Sequence, residues 1–156
     1  FADHAVFVGD GAGDHGLVVF DLRRLRALQP AAGPVTLEPD ARYDGIGSAH
    51  NLIMEPETGL AIPVGASGGG ETCGGGLHMV DVSKPLSPRF AGCYTDDTGL
   101  VAPGRSHDGQ CVIYRGPDAD WRGREICLNA NGMKGLDIVD VTDKQQPTKI
   151  STAARP

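Results

Sequence analysis

A seven-residue string recurs three times along this chain. Gly16-Leu-Val-Val-Phe-Asp-Leu22 returns as Gly76-Leu-His-Met-Val-Asp-Val82 and again as Gly135-Leu-Asp-Ile-Val-Asp-Val141, so the copies start 60 and then 59 residues apart. Each copy is short, apolar and rich in β-branched residues, which suits a strand. Asp stands sixth in every copy, and the second and third run on into polar turns, Ser83-Lys84-Pro85 and Thr142-Asp143-Lys144. A near-constant period constrains the fold strongly. Each unit has to adopt the same supersecondary form and bury its apolar face against a neighbouring unit.

Other segments keep step. Ser48-Ala-His50-Asn51 precedes the second string and Ser106-His107-Asp108 the third. Each opens a strand-like run, Asn51–Met54 and Cys111–Tyr114. A second run follows at Gly59–Val64 and Arg124–Leu128, and a fourth, after the string, at Pro88–Cys93 and Pro147–Ser151. One unit is therefore four short strands. The expected fold class is all-β, a β-propeller-like repeat of four-stranded blades. The period exceeds the usual ~40–50 residues of a blade, and the excess is assigned to insertions at 65–75, 94–105 and 115–123. The Gly-rich first of these reads as a mobile insertion. Leu22–Gln29 has room for one or two helical turns between strands. His4–Gly9 falls in phase with a second strand, so the first unit lacks its opening strand. The chain is read as one propeller-like fragment, 1–156, with units at about 1–47 (partial), 48–105 and 106–156. That makes an incomplete ring of about two and three-quarter blades, against the roughly 4–8 of a closed propeller. Missing chain or partner subunits would complete it, and Phe1 in place of Met suggests a processed or truncated N-terminus.

Apolar residues make up 40% of the chain, too many for a disordered segment. A net charge of -6 leaves no basic patch for nucleic acid. No apolar run reaches the length of a transmembrane helix. The four cysteines form no CxxC pair, which argues against a zinc ribbon. Of the three possible pairings the repeat register favours Cys73 with Cys93 and Cys111 with Cys127. Each pair flanks a predicted hairpin about symmetrically, so both would join neighbouring strands. Two disulfides imply an oxidising, extracytoplasmic compartment, secreted, periplasmic or cell surface; free buried thiols in a cytosolic protein are the competing reading.

These segments resemble the LVIVD-repeat proteins, in particular the bacterial set called choice-of-anchor B. The resemblance is carried by Gly76–Pro85, Ser106–Asp120, Gly123–Cys127 and Leu136–Lys144. It implies secreted or surface-anchored propeller-like repeats and brings no agreed enzyme activity.

Several residues are candidates for chemistry. His50 and His107 occupy matching positions at the start of an inner strand, followed by Asn51 and Asp108. From there a ring of imidazoles and oxygens facing the channel could bind a divalent metal; caps on a turn are the plainer alternative. Asp118, Asp120 and Glu125 lie in a Gly-containing acidic loop that suggests calcium, although the spacing is not that of an EF-hand. Otherwise they make an exposed tip whose acids pair with Arg122 and Arg124. Asp10-Gly-Ala-Gly-Asp14-His15 is a second acidic turn, read as a plain loop more readily than as a calcium site. No GxSxG or HExxH occurs. The sequence thus points first to a binding module that offers its blade loops to a protein or glycan partner, with calcium or another divalent metal as the expected cofactor. A metal-dependent hydrolase using His50, His107 and Asp108 is the alternative, and a structural subunit of a surface assembly is the third reading.

Overall fold

The computed structural model describes residues 1–11, 13–29, 33–95, 106–132 and 135–153. They form three antiparallel sheets, each a meander in chain order. The first sheet comprises β1 (His4–Val8), β2 (Leu17–Asp21) and β3 (Ala41–Tyr43). The second comprises β4 (Asn51–Glu55), β5 (Leu60–Val64), β6 (Leu77–Asp81) and β7 (Arg89–Tyr94). The third comprises β8 (Asp108–Ile113), β9 (Glu125–Ala130), β10 (Leu136–Asp140) and β11 (Thr148–Ala153). The recurrent strings are β2, β6 and β10, the third position of each unit, and the first sheet has no counterpart of β4 and β8. The fold is all-β, an incomplete propeller-like set of sheets.

The sixth-position Asp does the same work in each unit. Asp81 Oδ1 accepts the backbone N–H of Ser83 at 2.8 Å, and Asp140 Oδ1 accepts that of Thr142 at 2.9 Å. Each carboxylate ends its strand by satisfying an N–H two residues on. Asp21 Oδ1 accepts the N–H of Arg23 in the same way, at 2.9 Å, but there it caps a one-turn helix, α1 (Leu22–Arg26), not a tight turn. The helix lies within the segment the sequence left room for.

Packing follows from which faces are covered. β6 is buried along Leu77, His78, Met79 and Val80, on both faces. In β2 and β10 buried and half-buried residues alternate from the first residue to the fourth. The second sheet is therefore sandwiched, while the first and third each cover one face. One seam joins Leu17, Val19, Val6, Val8 and Tyr43 of the first sheet to Leu52, Met54, Ala61, Val80 and Val82. The other joins Ile53, Ile62, Val64, Leu77, Met79 and Tyr94 to Cys111, Cys127, Val139 and Val141 of the third sheet. β4 and β8 run against each other at this second seam.

Both disulfides are present, Cys73–Cys93 and Cys111–Cys127. Cys111 and Cys127 are direct cross-strand partners in β8 and β9, with Cα atoms 4.1 Å apart, near the closer of the two antiparallel spacings. Cys73 differs from expectation. It sits in a 3₁₀ turn, Cys73–Gly75, ahead of β6, and so ties a connecting segment, not a neighbouring strand, to β7. That corrects the reading of 65–75 as mobile. Ser67 bridges to Ser48, the N–H groups of Gly70 and Glu71 donate to Gly45 O, and the disulfide closes the far end. The insertion at 94–105 lies outside the described residues from position 96 on. The 115–123 insertion is the tip of the β8–β9 hairpin.

Gly92 shows how tightly the second seam closes. A Cβ there would lie 1.8 Å from Lys144 O, in the turn between β10 and β11. Gly92→Ala is expected to destabilise the fold by about 1–3 kcal/mol in urea unfolding. Gly70→Ala, whose added carbon meets no atom within 4 Å, should be near neutral. Equal midpoints for the two variants would contradict the close approach.

Candidate functional site

His50 and His107 are each the residue just before or at the opening of a first strand, and their sheets pack side by side there. The structure brings the two imidazoles together, with ring centroids 4.6 Å apart and planes tilted by 44°. His50 Nδ1 lies 3.1 Å from Asp10 Oδ2, a residue of the β1–β2 turn. Asp10 in turn accepts the N–H of Gly11 at 2.7 Å. The hydrogen bond from His50, followed by that from Gly11, holds the Asp10 carboxyl below its ordinary range. Asn51 Nδ2 donates to Asp108 Oδ1 at 3.2 Å, which also accepts the N–H of Gly109 at 2.7 Å. The cluster thus draws on all three sheets. Its imidazole-carboxylate edge is exposed, with the side chains of His50 and Asp10 46% and 66% accessible. Asp10 was legible only as part of a Gly-rich turn. Its partnership with His50 depends on how the first sheet docks on the second.

The acidic residues of the β8–β9 loop do not come together. Asp118 and Asp120 sit at the exposed hairpin tip, where Asp118 Oδ1 accepts the N–H of Asp120 at 3.1 Å. Glu125 is buried at the second seam instead. Its carboxylate accepts Thr58 Oγ1 at 2.9 Å across the seam and meets Lys144 Nζ at 2.5 Å. Burying a carboxylate is tolerated here because both of its oxygens are engaged. The expected ion pairs of the tip are also absent: Arg122 donates to the carbonyls of Gly116 and Pro117, while Arg124 pairs with Asp140 at 2.6 Å. Among the described residues, the one set of three possible metal-ligand side chains that converges is Glu71, Cys73 and Cys93, where the two sulfurs are joined to each other.

A second polar feature was missed at the sequence level, and it repeats. Tyr43, on the last strand of the first sheet, places its hydroxyl 2.9 Å from Nε2 of the fully buried His78 in β6. Tyr94, on the last strand of the second sheet, donates to Asp137 Oδ2 in β10 at 3.3 Å. Tyr43 is paired in register with Leu17 and Tyr94 with Leu77, so the tyrosines are equivalent, as are His78 and Asp137 in the recurrent string. Each seam is latched by the same tyrosine against a polar third-strand residue. Asp137 is further satisfied by Asn131 Nδ2 at 2.6 Å and Thr152 Oγ1 at 2.7 Å. His78 has Cys73 Sγ 3.5 Å from Nδ1 and the ring of Phe90 at 5.2 Å. Its burial depresses the imidazole pKa, offset in part by the nearby Glu71.

That depression has a definite sign for stability. The unfolded chain takes up a proton at His78 near pH ~6.5, whereas the folded chain resists it. Stability is then full above that pH and falls as the pH drops toward the folded pKa, below which it levels off. The exposed helix cap Asp21, hydrogen-bonded to Arg23, acts lower down, its carboxyl lowered to about 2. Urea midpoints measured from pH 7.5 to 5 should decline in the wild type and decline less in His78→Gln. Parallel slopes would contradict the account of a neutral, buried latch.

Comparison with known proteins agrees with the repeat. The LVIVD repeat family model matches residues 73–96 and 130–153, the second half of the second unit and its counterpart in the third. No curated protein and no solved structure matches the chain. The protein is thus a repeat protein that carries LVIVD repeats at two positions, each spanning the third and fourth strands of a four-stranded sheet.

Proposed function

We propose that this chain belongs to an extracytoplasmic interaction module of the secreted or surface-anchored kind implied by the choice-of-anchor B resemblance. Its partner, a protein or a glycan, binds at the end of the sheets where His50, Asn51, His107, Asp108 and Asp10 gather. The observation that carries this reading is the juxtaposition of His50 and His107 at 4.6 Å. Two equivalent positions in successive repeats supply the same polar, aromatic side chain to one exposed surface. Imidazole faces stack on sugar rings or peptide groups, and the flanking amide and carboxylates offer directional hydrogen bonds. Two disulfides suit the compartment and hold the supporting strands rigid. A glycan array probed with the wild-type chain and with the double variant His50→Ala/His107→Ala tests it. Signal confined to the wild type is expected; equal signal from both would remove this cluster from binding.

A divalent-metal site is the second reading, favoured by the same imidazole pair. His50 and His107 would be the nitrogen ligands and Asp10 or Asp108 the oxygen ligand. A hydrolase would require that metal, and His50, His107 and a carboxylate do not bring their ligand atoms together as one set among the described residues; simple binding needs no such convergence and is the better-supported function. Zinc titrated calorimetrically should bind the wild type about stoichiometrically and the double variant at least tenfold more weakly, by the usual contribution of paired ligands. Identical isotherms would exclude the metal reading.

A further inference from the structure

Four side chains that can ligate a metal gather around the Cys73–Cys93 disulfide: Glu71, Cys73, His78 and Cys93. The third unit has Ala130, Gly132, Asp137 and Thr152 at the equivalent positions, 59 residues on. The strand register is the same in both units, with His78 opposite Cys93 and Asp137 opposite Thr152. In the third unit the place is filled by a hydrogen bond from Thr152 Oγ1 to Asp137 Oδ1 at 2.7 Å. The fold therefore requires neither sulfur nor imidazole here. The second unit has replaced an oxygen pair by sulfur and nitrogen, the donors that suit zinc, and has added a carboxylate.

The geometry draws the four together. A carboxylate oxygen of Glu71 and the sulfurs of Cys73 and Cys93 all lie within 4.8 Å of one another. Glu71 Oε1 also accepts the Cys73 N–H at 2.7 Å. His78 Nδ1 lies 3.5 Å from Cys73 Sγ. Its other ring nitrogen, Nε2, is 2.9 Å from the Tyr43 hydroxyl. A metal-binding imidazole is ordinarily held in this way, by a hydrogen bond at the nitrogen that does not ligate. Cys73 and His78 are buried, Cys93 is half-buried and Glu71 is exposed, so the cluster has a closed floor and an open side. The other disulfide is unlike it. Cys111 and Cys127 are both buried, and no carboxylate or imidazole completes a ligand set with them among the described residues.

We propose that Cys73 and Cys93 are a reducible pair whose dithiol form binds one zinc ion, with the two sulfurs, His78 Nδ1 and the Glu71 carboxylate as its four ligands. The reductant is a dithiol. Its thiolate attacks Cys93, the less buried of the two cysteines. The bond between Cys73 and Cys93 breaks, and its electron pair leaves on Cys73 as a thiolate beside His78. The second thiol of the reductant then displaces Cys93 from the mixed disulfide, and the reductant departs as a disulfide. Two electrons have passed to the pair, and the two protons of the reductant go to solvent as the thiolates take the ion. The site uses neither His50 nor His107.

The test uses the full chain carrying His50→Ala/His107→Ala, so that the axial pair takes up no metal. Briefly reduced with a phosphine and titrated with cobalt(II), it should show sulfur-to-cobalt charge-transfer absorption and the strong visible bands of a tetrahedral ion. Zinc should bleach both at one equivalent, and the oxidised chain should show neither. Alkylation read by mass spectrometry should label Cys73 and Cys93 ahead of Cys111 and Cys127, and zinc should protect the first pair. Glu71→Gln keeps an acceptor for the Cys73 N–H and should weaken zinc about tenfold or more, as should His78→Gln. Cobalt bound without charge-transfer bands would overturn the proposal. So would equal zinc affinity in the reduced and oxidised chains, prior reduction of Cys111 and Cys127, or zinc held as tightly by Glu71→Gln as by its parent.

Discussion

The two apolar seams on either side of the second sheet are what everything else in this molecule rests on. Strands of three to six residues cannot hold a sheet together in water by their own ladders. They persist here because β6 buries both faces, Leu77 and Met79 toward one neighbour and Val80 and Val82 toward the other. The seams are closed at backbone distance where Gly92 meets the Lys144 turn. Polar groups at the seams pair across them, tyrosine to His78 or Asp137 and Thr58 to Glu125, while Asn129 Oδ1 is buried without a partner among the described residues. These bonds add little net stability individually, about 1 kcal/mol each. They fix register, because sliding one sheet past the next would strand every one of them.

The histidine cluster is a by-product of that packing. His50 and His107 are near each other because β4 and β8 are the strands in contact at the second seam, and Asp10 reaches them because the first sheet docks on the opposite face of the second. No single unit contains the cluster. A repeat protein builds a site this way, by bringing equivalent residues of successive units to one end, and the rigidity comes from the seams and from the disulfides that fasten Cys73 and Cys111 to their hairpins.

Much of the fold was legible because the recurrent string marks the same strand in each unit. Its sixth-position Asp was readable as a pattern and proves to cap a turn in the second and third units and a one-turn helix in the first. The cysteine pairing followed from the same register, although the 3₁₀ turn at Cys73 did not, since Gly-rich segments carry no periodic signal. Within the site, the pairing of His50 with His107 was visible as positional equivalence. Asp10 was not, because nothing in a sequence says which turn faces which across a seam. Glu125 was misplaced for a related reason. Its neighbours in sequence are acids at an exposed tip, while its side chain points into the seam toward Lys144. The tyrosine latches were missed because a lone tyrosine at a strand end looks like any half-buried aromatic residue until its register partner is known.

The central claim is that the second sheet is held from both sides and its neighbours from one. Native-state hydrogen exchange read by mass spectrometry tests it most directly. Amides of β5 and β6 should exchange only through global unfolding, while those of β1, β2, β10 and β11 exchange through smaller, local openings. Exchange of β6 as fast as that of β2 and β10 would contradict the sandwiched arrangement and the seams on which this account of the fold depends.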